Sequence, residues 1–281
     1  MVFQPNCPLC ACAESHPRYS VVPNVRQCNH CGLVYAQSNA VRDFIGFYQD
    51  YGDDGSHMAW PGIDKVNDSA LRRYDFIRDL KERGVGPELG HGGALDVGCG
   101  WGAFMLTLRD EGMDVSGIEI CRKMAFRGRE SLGLKISTDP IEDCPETGFD
   151  VISMMHVFEH MPKPLEALNQ VIRRLRPGGW FIGIVPNFES YCSKTLGKDW
   201  YWLDANYHYV HYTKDTLEAA LGMAGFGRMS FWTSIGDYTR SEVSRVVASV
   251  NPDVKPEAVV DFVNQLEVRG LGEELRFVAQ K

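Results

Sequence analysis

The sequence has few features that would place the protein in a membrane or on a nucleic acid. No apolar run approaches the roughly 18 residues that a membrane helix needs. The 29 Lys and Arg residues are outnumbered by 37 Asp and Glu residues, so the broad basic face that binds nucleic acid is missing. The first residues also lack the basic start and apolar core of a secretory signal. We therefore expect a cytoplasmic protein with no membrane segment and no nucleic-acid partner.

The nine cysteines stand without a secretory signal, which favours thiols or metal ligands over disulfides. Two C-x2-C pairs with 17 residues between them supply four of the nine: Cys7, Cys10, Cys28 and Cys31. This spacing is typical of a tetrahedral zinc site, in which four thiolates leave no position open for catalysis. A module of about 35 residues has too small a core to fold alone, so we expect a structural zinc ion. Cys12 and His30 are the alternative ligands.

The most informative motif is a glycine-rich turn between an apolar strand and a helical pattern. Residues 94–97 predict a buried strand, and Gly98, Gly100 and Gly102 follow it at alternate positions. Glycine accepts positive φ and lets the backbone approach a ligand, and the helix N-terminus adds free N–H groups. An acid about 20 residues later, at the end of the next strand, can bind ribose hydroxyls, and Glu119 occupies that position. The pattern predicts an adenosine-type ligand.

With three later motifs, this stretch resembles the class I S-adenosylmethionine-dependent methyltransferases. The matching segments keep the family's order and spacing, and they are Asp96–Gly102, Glu119, 148–153, 157–162 and 175–179. The resemblance implies an α/β fold, a Rossmann-like seven-stranded and mostly parallel sheet with helices on both faces. It implies S-adenosylmethionine as cofactor. The cysteine module resembles the front end of a bacterial subgroup that carries an N-terminal zinc ribbon.

We expect two parts in the chain, a zinc-ribbon module with its docking segment over 1–51 and a methyltransferase domain over 52–281. The domain is expected to begin with a helical lead-in at 63–83 and to have its core at 94–281. A long irregular loop at 188–212, rich in aromatic residues, is predicted to cover the acceptor pocket and exclude water.

The resemblance places the cofactor at the carboxyl ends of the first four strands. The residues it assigns are Asp96, Gly98, Cys99, Gly100, Gly102, Glu119, Ile120, Asp139, Ile141, Met155 and His156. In many relatives an aspartate in the loop after the third strand binds the adenine amino group. Here Asp139 comes before Pro140, so Ile141 and Glu142 remain alternatives. Met155 is interpreted more as a packing residue than as a specific contact.

Methyl transfer requires alignment of acceptor and methyl group and, where necessary, removal of a proton from the acceptor. Histidine is the natural base near neutral pH, and His156 is one candidate. The other candidate catalytic residues are Glu159, His160, His208 and His211. The last two lie in a segment that resembles the one before the last large helix of sugar methyltransferases. In sugar C-methyltransferases a histidine there serves as base, and His208 matches it best. Those relatives carry a neighbouring glutamate, where this chain has Tyr207 or Tyr209.

The expected function is methyl transfer to oxygen or carbon of a small-molecule acceptor, such as a sugar or a natural-product intermediate. The motif by which nucleic-acid amine methyltransferases hold a base is replaced by residues 154–157, and a Pro-Cys motif for cytosine methylation is missing. Two alternatives stay open. One is an RNA or protein methyltransferase with the zinc ribbon as reader. The other is a non-catalytic protein that binds S-adenosylmethionine for regulation.

Overall fold

Two β-sheets and the helices around them make up the part of the chain that can be described. The computed structural model describes residues 6–37, 75–204, 207–250, 252–253 and 255–281. One sheet has four strands and the other has seven. Among these residues, the structure contains no helix with the length and apolar character needed to cross a bilayer.

The strands and helices agree closely with the alternation predicted for the methyltransferase domain. In chain order the strands are β1 (Ser15–Tyr19), β2 (Val22–Cys28), β3 (Val34–Ala36), β4 (Gly93–Val97), β5 (Asp114–Ile118), β6 (Lys135–Ser137), β7 (Phe149–Met155), β8 (Leu175–Pro186), β9 (Val210–His211), β10 (Met229–Ser234) and β11 (Glu274–Gln280). The helices are α1 (75–83), α2 (Ala103–Asp110), α3 (Arg122–Leu132), α4 (Pro164–Arg174), α5 (Tyr191–Leu196), α6 (Lys214–Ala224), α7 (Asp237–Val250) and α8 (Pro256–Val268). The predicted lead-in helix is confirmed over 75–83, and its first residues, 63–74, lie outside the described residues.

The larger sheet has the order β6-β5-β4-β7-β8-β11-β10. Pairing is parallel from β6 to β8, whereas β11 and β10 are antiparallel to their neighbours. The prediction of a seven-stranded, mostly parallel sheet is therefore confirmed. Strand order reverses between β4 and β7, and ligands of open α/β sheets bind at the carboxyl ends beside such a reversal. The start of β11 lies at the same edge, because Glu274 pairs with Pro186 at the end of β8.

Both faces of the larger sheet are buried, as the apolar strands predict. On β7, Ile152 packs into a cluster that contains Leu168 of α4 and Leu217 of α6. The preceding residue, Val151, belongs to a second cluster with Met105 of α2. Because successive side chains of a strand point to opposite faces, the two clusters are the cores on the two sides of the sheet.

The smaller sheet joins the cysteine module to the methyltransferase domain. Its order is β1-β2-β3-β9, and all three pairings are antiparallel. Strand β9 belongs to the segment that was predicted to be a loop, and in it His211 pairs with Val34 while Val210 pairs with Tyr35. Tyr35 is buried, in agreement with a docking role for this part of the module. The aromatic residues at 44–51, in the predicted docking segment, lie outside the described residues.

One local prediction was wrong. Residues 188–212 are not irregular throughout, because Ser190 caps helix α5 by accepting a hydrogen bond from the backbone N–H of Ser193. Strand β8 is unusually long because it starts at Leu175, before its continuous buried run. Helix α4 ends directly in extended backbone at Leu175, which pairs with Phe149 of β7 before the register shifts at a bulge.

A buried cation fastens helix α1 to the last strand. The guanidinium of Arg276 is 2% exposed and donates to Glu274 at 2.7 Å, to Asp75 at 2.8 Å and to Asp79 at 2.9 Å. Burial alone would raise the pKa of Glu274, but His156 and Arg276 outweigh it and hold the pKa at about 2. Burying these charges is tolerable only because they are paired.

Because the pKa of Glu274 is low, the free energy of unfolding should decrease as the pH falls. A carboxyl group with a lowered pKa stabilises the protein above its unfolded pKa of about 4.3, and this contribution is lost as the pH falls towards 2. We expect Glu274→Gln to be less stable than wild type at pH 6 and to lose less stability between pH 4.5 and 3. Urea unfolding at several pH values measures this, with the exposed Glu130→Gln as control. Parallel acid profiles for wild type and Glu274→Gln would contradict it.

Candidate cofactor and acceptor site

The glycine-rich turn adopts a backbone that only glycine accepts readily. Gly98, Gly100 and Gly102 have φ values of 70°, 58° and 101°, all in the left-handed region. A Cβ atom on Gly98 would lie 2.5 Å from Cγ2 of Val157, and one on Gly102 would overlap the side chain of Leu134. The turn therefore packs directly against the segment that follows β7.

Glu119 is bound to this turn. The side chain is 7% exposed. Its Oε2 accepts from the N–H of Gly100 at 2.8 Å, and Oε1 accepts from the N–H of Cys121 at 2.7 Å. Burial raises the pKa of Glu119 and outweighs these two hydrogen bonds, which lower it. Each oxygen can accept a further hydrogen bond, so the carboxylate can bind two adjacent hydroxyls beside the glycine turn.

Other predicted cofactor residues use their side chains inside the protein. Asp96 is buried and accepts a hydrogen bond from the hydroxyl of Ser153 at 2.7 Å, which links β4 to β7. The thiol of Cys99 is buried where Gly117 of β5 leaves room for it. The side chains of these two residues thus serve the packing of the sheet, and their contacts with a cofactor stay a prediction.

The remaining predicted cofactor residues line the same edge of the sheet. Ile120 is half-buried beyond β5, and Ile141 is buried in the core. Asp139 is exposed after β6, and its carboxylate accepts from the hydroxyl of Ser137 at 2.9 Å. Met155 packs partly against the core, in agreement with a packing role. The specific contacts of these residues with a cofactor stay a prediction.

Three of the predicted catalytic residues, Glu159, His160 and His208, form one cluster just after the end of β7. Glu159 and His160 lie in a short 3-10 helix that follows β7, and the N–H of Tyr209 donates to the carbonyl of Glu159 at 2.9 Å. This bond brings His208 to the cluster, where its ring lies 4.8 Å from the ring of His160. One ligand atom from each of Glu159, His160 and His208 lies within 4.8 Å of the others.

Charge in the cluster is set by burial and by neighbouring groups. Burial raises the pKa of Glu159, but His156, His160 and His208 outweigh it and lower the pKa. For His208, burial and the charge of His160 lower the pKa to about 4. His208 is therefore neutral at pH 7, the form that can accept a proton. Its Nδ1 donates to the carbonyl of Trp202 at 2.9 Å, which leaves Nε2 as the acceptor.

His211 is less suited to contact an acceptor than His208. It is buried in β9, and neither of its ring nitrogens has a hydrogen-bond partner among the described residues. Burial lowers the pKa of His211 to about 3. Its enclosure and its pairing with the cysteine module favour a structural contribution, whereas His160 and His208 are half-buried.

His156 connects the cluster to a residue that the sequence did not reveal. Nδ1 of His156 lies 3.7 Å from Glu159, and Nε2 lies 3.6 Å from Glu274. Burial would lower the pKa of His156, but the two carboxylates raise it. The backbone of His156 has a φ of 57°, a strained value of the kind that collects at functional sites. Glu274 was missed because a charge at the start of a strand is usually solvent-exposed.

The aromatic residues of 188–212 divide into two groups. Trp200 is buried, and its Nε1 donates to Glu273 at 3.0 Å, so it belongs to the core over α7 and α8. Tyr212 is buried as well and stacks on Phe158 at 5.0 Å. Trp202 packs edge to face against His156 at 5.2 Å, beside the cluster. The predicted lid is thus mostly core, and a covering role is left for Trp202.

The four predicted zinc ligands come together at the base of the smaller sheet. Sγ of Cys7 lies 3.5 Å from Sγ of Cys31, and the same distance separates Cys10 and Cys28. A tetrahedral ion with bonds of about 2.3 Å sets its sulfurs about 3.8 Å apart, so the cluster has the size of a zinc site. The thiol of Cys12 instead lies near the carbonyl of Glu14.

The sheet order and the glycine turn with its buried acid define a class I S-adenosylmethionine-dependent methyltransferase. The chain belongs to the methyltransferase domain family, whose model matches residues 69–227, more than half of the chain. A ubiquinone biosynthesis O-methyltransferase from Aliivibrio fischeri is 31% identical over 116 residues, covering 37% of this chain and 49% of the relative. The chain thus spans about half the length of the curated relatives it matches.

Solved structures agree on the fold. A methyltransferase from Thermotoga maritima, described as a possible histamine N-methyltransferase, has a TM-score of 0.52 at 19% identity, over 78% of this chain and 96% of that chain. Phosphoethanolamine N-methyltransferase 2 from Haemonchus contortus, solved with S-adenosylmethionine, has a TM-score of 0.58 at 13% identity, over 88% of this chain and 61% of that chain. At these identities the similarity establishes the fold alone.

Proposed function

We propose that the protein transfers a methyl group from S-adenosylmethionine to an oxygen atom of a small-molecule acceptor. The observation that carries this proposal is the contact between the two halves of the site. Val157 packs on Gly98, so the cofactor turn and the cluster of Glu159, His160 and His208 adjoin. The similarity to a ubiquinone biosynthesis O-methyltransferase supports oxygen as the methylated atom.

The chain's residues would divide the work between holding the cofactor and preparing the acceptor. Glu119 would bind the two ribose hydroxyls, and the glycine turn would let the rest of the cofactor approach the backbone. When bound, S-adenosylmethionine supplies a methyl group on a positive sulfur, which takes the electron pair of the broken bond and becomes a neutral thioether. The histidine cluster would take up the proton that the acceptor hydroxyl loses, and Trp202 would limit the access of water.

Binding and turnover measurements test this function. Calorimetry should detect S-adenosylmethionine and S-adenosylhomocysteine binding in the micromolar range. Methyl transfer is then measured with a radiolabelled donor on phenols, catechols and sugar nucleotides, which sample both aromatic and sugar hydroxyl groups. Failure of the folded protein to bind either cofactor form would overturn the proposal, and binding without transfer to any pool would favour the regulatory alternative.

The cysteine cluster is proposed to hold a structural zinc ion. Because β3 of the cysteine module pairs with β9, the metal would also support the segment that carries His208. We expect Cys28→Ser to reduce bound zinc from one ion per chain to nearly none and to lower the melting temperature. Cys12→Ser is the matched control and should retain zinc. Metal analysis and thermal melting measure both effects, and zinc retained in Cys28→Ser would contradict the ligand assignment.

A further inference from the structure

We propose that Glu159, His160 and His208 form a binding site for one divalent cation beside the acceptor pocket. A ligand atom of each residue lies within 4.8 Å of the other two. Two imidazoles and one carboxylate are a ligand set that first-row metal ions use while keeping positions open for substrate. This inference deepens the proposed function and rests on it, since the cation would act on the acceptor.

The two imidazoles are held in the tautomer that a metal ion requires. Nδ1 of His160 lies 2.8 Å from the carbonyl oxygen of Tyr207, and Nδ1 of His208 lies 2.9 Å from that of Trp202. A carbonyl oxygen can only accept, so both Nδ1 atoms carry the hydrogen and both Nε2 atoms keep their lone pair. Backbone carbonyls commonly orient metal-binding histidines in this way.

The carboxylate has an oxygen that the described residues leave unsatisfied. Glu159 is 1% exposed, and its Oε2 has no hydrogen-bond partner among them, whereas Oε1 faces His156 at 3.7 Å. A buried acceptor without a partner is costly. Coordination of a cation by Oε2 would remove that cost and would also balance the negative charge of a carboxylate enclosed by protein.

The ligand chemistry separates this site from the cysteine cluster and indicates the acceptor. Two imidazoles and a carboxylate accept several divalent first-row ions, Mn²⁺ and Zn²⁺ among them, whereas four thiolates select Zn²⁺ over Mn²⁺. A cation with open positions lowers the pKa of a bound hydroxyl. With the ion bound, the hydroxyl proton would leave to solvent, and the two Nε2 atoms would hold the ion instead of taking up the proton. It would favour an acceptor with two adjacent oxygens, such as a catechol or a vicinal diol, since both oxygens can bind the same ion.

A titration of the full, zinc-loaded chain with Mn²⁺, followed by the electron paramagnetic resonance signal of the free ion, tests the proposal. We expect the wild type to bind one Mn²⁺ per chain. Glu159→Gln and His208→Gln should weaken that binding by at least about 10-fold. The exposed His91→Gln is the matched control and should bind Mn²⁺ as the wild type does. The bound ion should also show magnetic coupling to imidazole nitrogen.

The outcomes that overturn the cation site are distinct from those that overturn the function. A wild type that binds S-adenosylhomocysteine but no Mn²⁺ would overturn the cation site and leave methyl transfer standing. So would Mn²⁺ binding that both variants retain. The variants cannot be used if they fail to bind S-adenosylhomocysteine, since that shows that they do not fold. The magnetic coupling between Mn²⁺ and imidazole nitrogen in the wild type is then the test, and its absence overturns the cation site. Loss of cofactor binding in the wild type would instead overturn the proposed function.

Discussion

Replacing His208 with alanine should lower kcat by about 100-fold or more while the dissociation constant for S-adenosylhomocysteine stays within about twofold. Proton removal by a positioned group contributes about 10² to 10⁴ in rate. The loss should follow whether Nε2 of His208 takes the proton itself or holds a cation that acidifies the acceptor hydroxyl. Cofactor affinity should survive because Glu119 and the glycine turn do not contact His208 through any hydrogen bond that the structure shows.

The measurement is steady-state methyl transfer with a responsive acceptor, paired with calorimetry on the same preparations. His91→Ala removes an exposed histidine far along the chain from the cluster and is the matched control. His208→Gln is the second variant, because its amide can still donate to the carbonyl of Trp202. If His208→Gln binds the cofactor normally and turns over as slowly as His208→Ala, the decrease in kcat is due to the loss of Nε2. Full turnover by His208→Ala would exclude the residue from the reaction.

The sequence was most informative where structure and chemistry lie close together along the chain. The turn from 98 to 102 and Glu119 follow consecutive strands, so spacing alone was enough to predict that they meet. The strand predicted over 94–97 is observed as β4 over Gly93–Val97, and the helix predicted over 63–83 is observed over 75–83 within the described residues. Apolar periodicity specifies such elements because they are buried against the sheet.

The sequence was least informative where a contact depends on distant segments. Strand β9 has only two residues, and it exists because Tyr35 and Val34 of the cysteine module pair with it. No local pattern distinguishes such a strand from a loop. Glu274 and Arg276 similarly resemble solvent-exposed charges until helix α1 covers them. A signal was available for α5, since Ser190 precedes it as an N-cap, but the surrounding aromatic residues obscured it.

Replacing Glu119 with alanine should raise the dissociation constant for S-adenosylhomocysteine by about 100-fold. A hydrogen bond to a charged group contributes about 1.5–3 kcal/mol, and a change of about 2.7 kcal/mol corresponds to 100-fold in affinity. Two such bonds to ribose would account for the loss even if one of them were partly replaced by water. The variant also removes the partner of the Gly100 and Cys121 N–H groups, so the turn itself should loosen.

Calorimetry on wild type, Glu119→Ala and Glu119→Gln separates these two contributions. The glutamine side chain has one acceptor oxygen and no charge, so it can keep one backbone bond but cannot bind two hydroxyls as a carboxylate does. We expect it to bind nearly as weakly as alanine if ribose recognition dominates, and with intermediate affinity if support of the turn dominates. Glu130→Ala, an exposed change on α3, is the control and should bind like wild type. If Glu119→Ala binds S-adenosylhomocysteine as tightly as the wild type, the cofactor does not bind at this edge of the sheet. The histidine cluster would then have no methyl donor beside it, and its proposed function would fail as well.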